Sequence, residues 1–212
     1  MTIKKTLLLI TVTLGFLAAV WTPAVLAQTL FETVRYSPNP FDVTTGIALE
    51  PVIAEELRDR LSDATLEYRW YLNGEEVLQE ITPHFPGEQL NRGDQLSIEI
   101  TLVLPGGDRL PPFISQPFEV SNANPTITSD PSTATTTGNF IYQVTATDPD
   151  GDYLTFHLES GPDYMTIDAT TGLLQWRFET MPEGSFPVKI VVDDGVGGQA
   201  TQAFELQTTF QK

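Results

Sequence analysis

Apolar and polar side chains alternate through most of this sequence, and that period of two constrains the fold more than any other feature. In "TLEYRWYLNGEEV" one face would carry Leu66, Tyr68, Trp70 and Leu72. Alternation of this kind is typical of a half-buried β-strand. The following Asn73–Gly74 pair tolerates positive φ and is a strong signal for a two-residue hairpin turn. We therefore predict two antiparallel strands joined at this turn.

The same pattern recurs along the chain and predicts further short strands. Their inward faces would carry Leu96, Ile98, Ile100, Leu102 and Leu104; Phe140, Tyr142, Val144 and Ala146; Leu154, Phe156 and Leu158; and Phe186, Val188, Ile190 and Val192. Short strands separated by turn residues indicate an all-β protein built from antiparallel β-sandwiches. One segment differs, because Ile53, Leu57 and Leu61 recur at helical spacing after Pro51. We expect a short helical insertion over 51–63 that Pro51 would begin.

The N-terminus has the pattern of a secretory signal peptide. Two basic residues, Lys4 and Lys5, precede an apolar run, and small residues follow at Ala24 and Ala27. This arrangement predicts cleavage after Ala27, and the alternative is an N-terminal membrane anchor. No later segment is apolar enough to cross a membrane, so we expect a protein that is secreted, periplasmic or on the cell surface.

A polar segment divides the mature chain into two strand-rich blocks. Residues 120–140 are rich in Asn, Pro, Ser, Thr and Gly, which is typical of a linker. We predict a signal peptide over 1–27, an Ig-like sandwich with a short helical insertion over 28–121, and a second sandwich over 122–212.

The charge and the lack of cysteine limit the classes of function. The formal charge is −17, and the chain has no cysteine. Such an acidic surface repels nucleic acid and anionic lipid but attracts divalent cations. Disulfides and thiol chemistry are excluded, so an exported protein of small domains needs another source of rigidity. A bound cation would supply it.

Acidic residues concentrate at two points of the second block. Asp148, Asp150 and Asp152 alternate with Pro149 and Gly151 in "DPDGD", and Asp193–Asp194 ends a predicted strand. Clustered carboxylates suit Ca²⁺, which takes six to eight oxygen ligands in irregular geometry. If the two loops lie at the same end of a sandwich, they can share an ion. The competing interpretation is a solvated polar turn, because Asp, Pro and Gly are common turn residues.

The second block resembles a known family. Its segments "NANPTITSDPSTATTTGNFIYQVTATDPDGDYLTFHLESGPDYMTIDATTGLLQW" and "GSFPVKIVVDDGVGGQATQAFEL" are similar to the cadherin-like "putative Ig" repeats of bacterial surface proteins and to the dystroglycan-type cadherin module. The resemblance implies a seven-stranded sandwich with a spacer or adhesive role, and calcium near the linker. The ligands that it implies are Asn122, Asp148, Asp150 and Asp194, with Asp193 as a neighbour and Asp152 as a less secure match. A site between the domains and a weaker site within the second domain both stay open.

The first block resembles, more loosely, bacterial Ig-like modules, and it carries an Arg-Gly-Asp tripeptide at 92–94. Trp70 would be the core tryptophan of this sandwich. The tripeptide is the sequence that integrins recognise, but it leads directly into a predicted strand and is short enough to occur by chance. We give it no such role here.

The residues favour a non-catalytic protein. The sequence contains two histidines and none of the nucleophile, zinc or phosphate-binding motifs considered, and His157 is predicted to face the surface. We expect a structural or adhesion protein with a protein partner at the surface or in an extracellular assembly, and no nucleic acid. The alternative is a carbohydrate-binding accessory module with a polysaccharide partner, which three or more coplanar exposed aromatic rings would favour.

Overall fold

The computed structural model describes residues 30–134, 139–177 and 182–208. The predicted signal peptide, residues 1–27, lies outside this part of the chain. Within it, strands predominate and pair in antiparallel sheets, as the alternating pattern predicts. Among these residues, no helix is both long and apolar enough to span a membrane.

The N-terminal sandwich occupies residues 30–120. Its strands are β1 (Phe31–Ser37), β2 (Ile47–Ile53), β3 (Thr65–Leu72), β4 (Glu75–Val77), β5 (His84–Phe85), β6 (Gln95–Val103), β7 (Phe113–Ile114) and β8 (Phe118–Glu119). One sheet has the order β1-β2-β5, and the other has the order β4-β3-β6-β7, with β8 also paired to β6. A short 3-10 helix covers Gly87–Gln89.

Strands β3 and β6 pair side by side in one sheet, and their predicted apolar residues share one face of it. Trp70 pairs with Ile98, and Leu72 pairs with Leu96. Trp70 is fully buried in the core formed by both sheets, and its indole Nε1 donates a 2.9 Å hydrogen bond to the Thr82 carbonyl oxygen. The hairpin prediction is confirmed, since Asn73 and Gly74 connect β3 to β4 with φ of 52° and 87°.

The helical insertion is shorter than the sequence suggests. Helix α1 covers only Glu55–Arg58, and Pro51 lies within β2, where it pairs with Val34 of β1. The prediction that Pro51 begins the helix is therefore wrong. Pairing with β1 holds this segment extended until Ile53, and tertiary contacts override the local helical spacing.

The C-terminal sandwich follows the same principle. Its strands are β9 (Thr126–Ile127), β10 (Asn139–Gln143), β11 (Ala146–Thr147), β12 (Thr155–Ser160), β13 (Met165–Ile167), β14 (Leu173–Arg177), β15 (Gly184–Asp193) and β16 (Gln199–Thr208). They form sheets of order β10-β14-β13, β11-β9 and β12-β15-β16. A 3-10 helix covers Pro131–Thr133.

A separate core fills this second sandwich. Inward residues of β10, β12, β14 and β15 meet there, including Tyr142, Phe156, Trp176 and Ile190. No residue belongs to both cores in the described part of the chain: the first core ends at Val120, and the second begins at Ile127. The intervening linker contacts two acidic turns of the second sandwich, since Ala123 bonds to Asp150 and Asn122 bonds to Asp194.

Candidate metal centre

The acidic loop begins where β11 ends and is folded by its own first carboxylate. Asp148 Oδ1 accepts the backbone N–H groups of Asp150 at 2.9 Å and Asp152 at 3.2 Å. Gly151 supplies the positive φ, 81°, that closes the turn. The three Asp residues consequently present carboxylate oxygens that all lie within 4.8 Å of one another.

The second oxygen of Asp148 lacks a hydrogen-bond donor. Oδ2 is buried and has no hydrogen-bond partner among the residues that the structure describes. A buried polar atom of this kind is costly unless it is satisfied. A cation bound at this oxygen would remove that cost, so the donor set fits a metal such as Ca²⁺.

Asp150 connects the acidic loop to the linker. Its side chain is only 3% exposed, and Oδ2 accepts a 2.8 Å hydrogen bond from the Ala123 N–H. Since Ala123 lies between the two cores, Asp150 fixes the linker against the second sandwich.

Asp194 also meets the linker, through Asn122. The Nδ2 of Asn122 donates a 2.6 Å hydrogen bond to Asp194 Oδ2, while Asp194 Oδ1 accepts the N–H groups of Val196, Gly197 and Gly198 at 2.8 to 3.0 Å. Asp194 is buried, and burial opposes its ionisation, but these hydrogen bonds hold the pKa of the carboxyl below its usual range. Both oxygens thus serve to close the turn after β15.

Asp193 is bound within its own turn. Its Oδ1 accepts the Gly195 N–H at 2.7 Å, and its Oδ2 accepts Gln199 Nε2 at 2.7 Å. The Gln199 bond is the main reason that the pKa of Asp193 lies below its usual range. The described contacts of the linker include Asp194 and Asp150 but not Asp193.

The sequence interpretation did not include one residue of this site, Arg92. The guanidinium belongs to the loop that precedes β6 in the first sandwich, and it forms a two-pronged ion pair with Asp152: Nη1 donates to Oδ2 and Nη2 to Oδ1, the latter at 3.0 Å. Nη1 also donates a 2.6 Å hydrogen bond to Asn122 Oδ1 and lies 4.0 Å from Asp150 Oδ2. Hydrogen bonding to Asp152 raises the pKa of Arg92. Its position beside the linker depends on the pairing of Gln95 with Glu119, which no local pattern reveals.

The same contacts bear on the Arg-Gly-Asp tripeptide. Arg92 is engaged by the second sandwich, and Asp94 accepts hydrogen bonds from Asn91 N–H at 2.7 Å and Asn73 Nδ2 at 2.8 Å. Both charged ends of the tripeptide therefore have structural partners.

Among the described residues, the two most exposed aromatic rings do not form a stacked pair. Trp70 and Trp176 are buried in the two cores, and the largest exposed rings include Tyr153 and Tyr164, with no ring contact between those two among the described residues. The prediction that His157 faces the surface is confirmed.

The sequence matches one family model, and the fold has distant solved neighbours. Residues 120–209 match the family described as "Putative Ig domain". No curated protein matches the sequence. The protocadherin GammaB4 extracellular domain is 16% identical, with 68% of this chain and 28% of that chain covered at a TM-score of 0.36.

Two further solved structures are similarly distant. Drosophila N-cadherin EC1-4 is 12% identical over 83% of this chain and 50% of that chain, at a TM-score of 0.36. The fibronectin(III)-like modules of Clostridium thermocellum CbhA are 15% identical over 82% of this chain and 93% of that chain, at a TM-score of 0.30. This chain thus spans half or less of the length of these two cadherin chains. Residues 120–209 thus match the "Putative Ig domain" family, and the described part of this segment pairs in antiparallel sheets with its acidic loop bonded to the linker.

Proposed function

We propose that this chain is an exported, non-catalytic structural or adhesion protein of a cell surface or extracellular assembly, and that one calcium ion stabilises its C-terminal domain. The family of residues 120–209 supports the structural or adhesive role. The cluster of Asp148, Asp150 and Asp152 supports the proposed calcium site. A protein partner is expected, since an adhesive domain acts by binding another protein.

The buried Oδ2 of Asp148 carries the proposal. Oδ1 of the same carboxylate already accepts two backbone N–H groups, whereas Oδ2 has no hydrogen-bond partner in the described residues. Burial of half a carboxylate without a donor is explained if a cation binds there.

The local charge is suited to one divalent ion. Three carboxylates crowd the tip, and Arg92 neutralises Asp152 through its two-pronged pair. Asp148 and Asp150 then leave two negative charges, which one Ca²⁺ would balance. Calcium tolerates irregular oxygen geometry and completes its shell with water and backbone carbonyls.

The roles of the predicted ligands differ accordingly. We expect Asp148 and Asp150 to bind the ion directly and Asp152 to share its carboxylate between the ion and Arg92. We expect Asn122 and Asp194 to hold the linker and the neighbouring turn in place, and Asp193 to contribute only negative potential.

Calorimetric titration of calcium into the chelator-stripped mature chain tests the proposal. We expect one ion per chain, and we expect Asp148→Asn to lose the binding. This variant keeps Oδ1 for the loop but replaces the unpartnered oxygen. Asp168→Asn is the matched control, because Asp168 Oδ1 accepts two N–H groups in the same way, from Thr170 and Thr171. Absence of heat up to millimolar calcium, or equal loss in both variants, contradicts the proposal.

Export is tested separately by mass spectrometry of the protein recovered from outside the cytoplasm. We expect the mature chain to begin at Gln28, directly after Ala27. Recovery of the chain with residues 1–27 attached and membrane-bound would favour the anchor instead.

A further inference from the structure

The loop that carries Arg92 is held firmly to the first sandwich. Asp94 bonds to Asn91 and Asn73 on one side, and the Gly93 N–H donates a 2.8 Å hydrogen bond to the Val120 carbonyl oxygen. The backbone that carries the Arg92 side chain is therefore held in place by the first sandwich.

The acceptor of Arg92 is held equally firmly in the second sandwich. The N–H of Asp152 donates to Asp148 Oδ1, so the loop positions the Asp152 carboxylate before Arg92 reaches it. A contact between two fixed groups restrains the bodies that carry them. The ion pair between Arg92 and Asp152 is therefore a restraint on the two sandwiches and not only on two side chains.

This ion pair differs from an ordinary surface pair. Exposed pairs contribute little because water screens them and two long side chains must be ordered. Here the Asp152 side chain is 18% exposed, the guanidinium fork uses both Asp152 oxygens, and Asn122 extends the pair into a network. A bidentate, partly buried ion pair within a network is the kind that contributes measurably to stability.

We propose that Arg92 is the cation that locks the two sandwiches together, so that their relative orientation is kept without any metal ion. The guanidinium bonds across the junction to the acidic loop and to the linker at the same time. Calcium at Asp148 would then add stability to the second domain without being needed to align it with the first. This lock goes beyond the proposed calcium site and does not depend on it.

A distance measurement between the domains in EDTA tests the lock. The chain lacks cysteine, so Thr65→Cys in β3 and Thr166→Cys in β13, both exposed, introduce one spin label in each sandwich. Double electron–electron resonance then gives the distribution of distances. Arg92→Ala and Asp152→Asn remove the lock from either side. Arg109→Ala is the matched control, because Arg109 forms a similar fork with Glu67 within the first sandwich alone.

We expect a single narrow distribution in EDTA that broadens in Arg92→Ala and in Asp152→Asn but not in Arg109→Ala. Unchanged width in Arg92→Ala, or broadening in only one of the two lock variants, overturns the proposal. So does a parent chain that is broad in EDTA and narrows only with calcium, since the metal would then align the domains. Because these measurements are made without calcium, failure of the calcium titration leaves the lock untouched.

Discussion

Asn122 of the linker donates a 2.6 Å hydrogen bond to Asp194, which follows β15 and lies 72 residues further along the chain. The same amide accepts a hydrogen bond from Arg92 of the first sandwich. One linker side chain thus joins a turn of the second domain to a loop of the first. The stability of both domains should therefore respond to changes at these contacts.

Removal of Asp194 should destabilise the second domain far more than removal of its neighbour. Asp194→Ala leaves the N–H groups of Val196, Gly197 and Gly198 without their acceptor, and we expect a loss of about 2–4 kcal/mol in the free energy of unfolding. Asp193→Ala should cost much less, because its turn is exposed to water and its donors can bond to solvent instead. Urea unfolding of both variants measures the difference, and equal losses would contradict the assigned role of Asp194.

Gly198 is expected to be intolerant of a side chain. A Cβ there would clash with Asp194 Oδ2 and lie 2.8 Å from Asn122 Nδ2 and 2.9 Å from Asn124 Oδ1. We expect Gly198→Ala to cost about 1–3 kcal/mol, as overpacking of a closed site does.

Gly195→Ala is the comparison for Gly198→Ala, because it introduces backbone strain without steric crowding. Gly195 has a φ of 77°, but no atom lies within 4 Å of the position that a Cβ would take there. Its cost should therefore be only the roughly 1–2 kcal/mol of a left-handed backbone. Thermal unfolding with and without calcium compares the two variants. If Gly198→Ala is as stable as the parent chain, the side chains do not converge as described.

Calcium should raise the melting temperature of the second domain through Asp148. A ligand that binds only the folded state adds about 2.7 kcal/mol at a hundredfold excess over its Kd. For a domain of this size that corresponds to a rise of roughly 10 °C or more. We expect the rise to vanish in Asp148→Asn and to persist in Asp168→Asn, as read by differential scanning calorimetry. Magnesium at the same concentration should give a smaller rise, because it requires stricter octahedral geometry.

The first sandwich should lose stability in acid through Asp42. Burial opposes ionisation of this carboxyl, but hydrogen bonds from Thr44 and Thr45 hold its pKa below the usual 3.8. A pKa that is lower in the folded state stabilises the protein above the unfolded pKa, and that contribution is lost as the pH falls through the folded pKa. Urea unfolding at pH 6 and below pH 4 measures this loss. The free energy of unfolding of the parent chain should exceed that of Asp42→Asn by less below pH 4 than at pH 6. An advantage that is constant over this range would rule out the linkage.

Local pattern predicted the strands with clear alternation, such as β3 and β6. Alternation placed Trp70 and Ile98 on buried faces, and Asn73–Gly74 specified the hairpin, because the side-chain period and the turn dihedrals depend on neighbouring residues alone. Pro51 shows where this fails: pairing with Val34 determined its conformation, and a strand partner cannot be read from a single segment.

The sequence by itself also determined that carboxylates would crowd the loop at Asp148, Asp150 and Asp152, since their spacing is covalent. Only the tertiary structure decided what surrounds them. It brought Arg92 to Asp152 across 60 positions and left Asp148 Oδ2 buried without a donor among the described residues. The physical reason is that neutralisation and burial of a charge depend on distances in space, which the packing of two sandwiches around one linker sets.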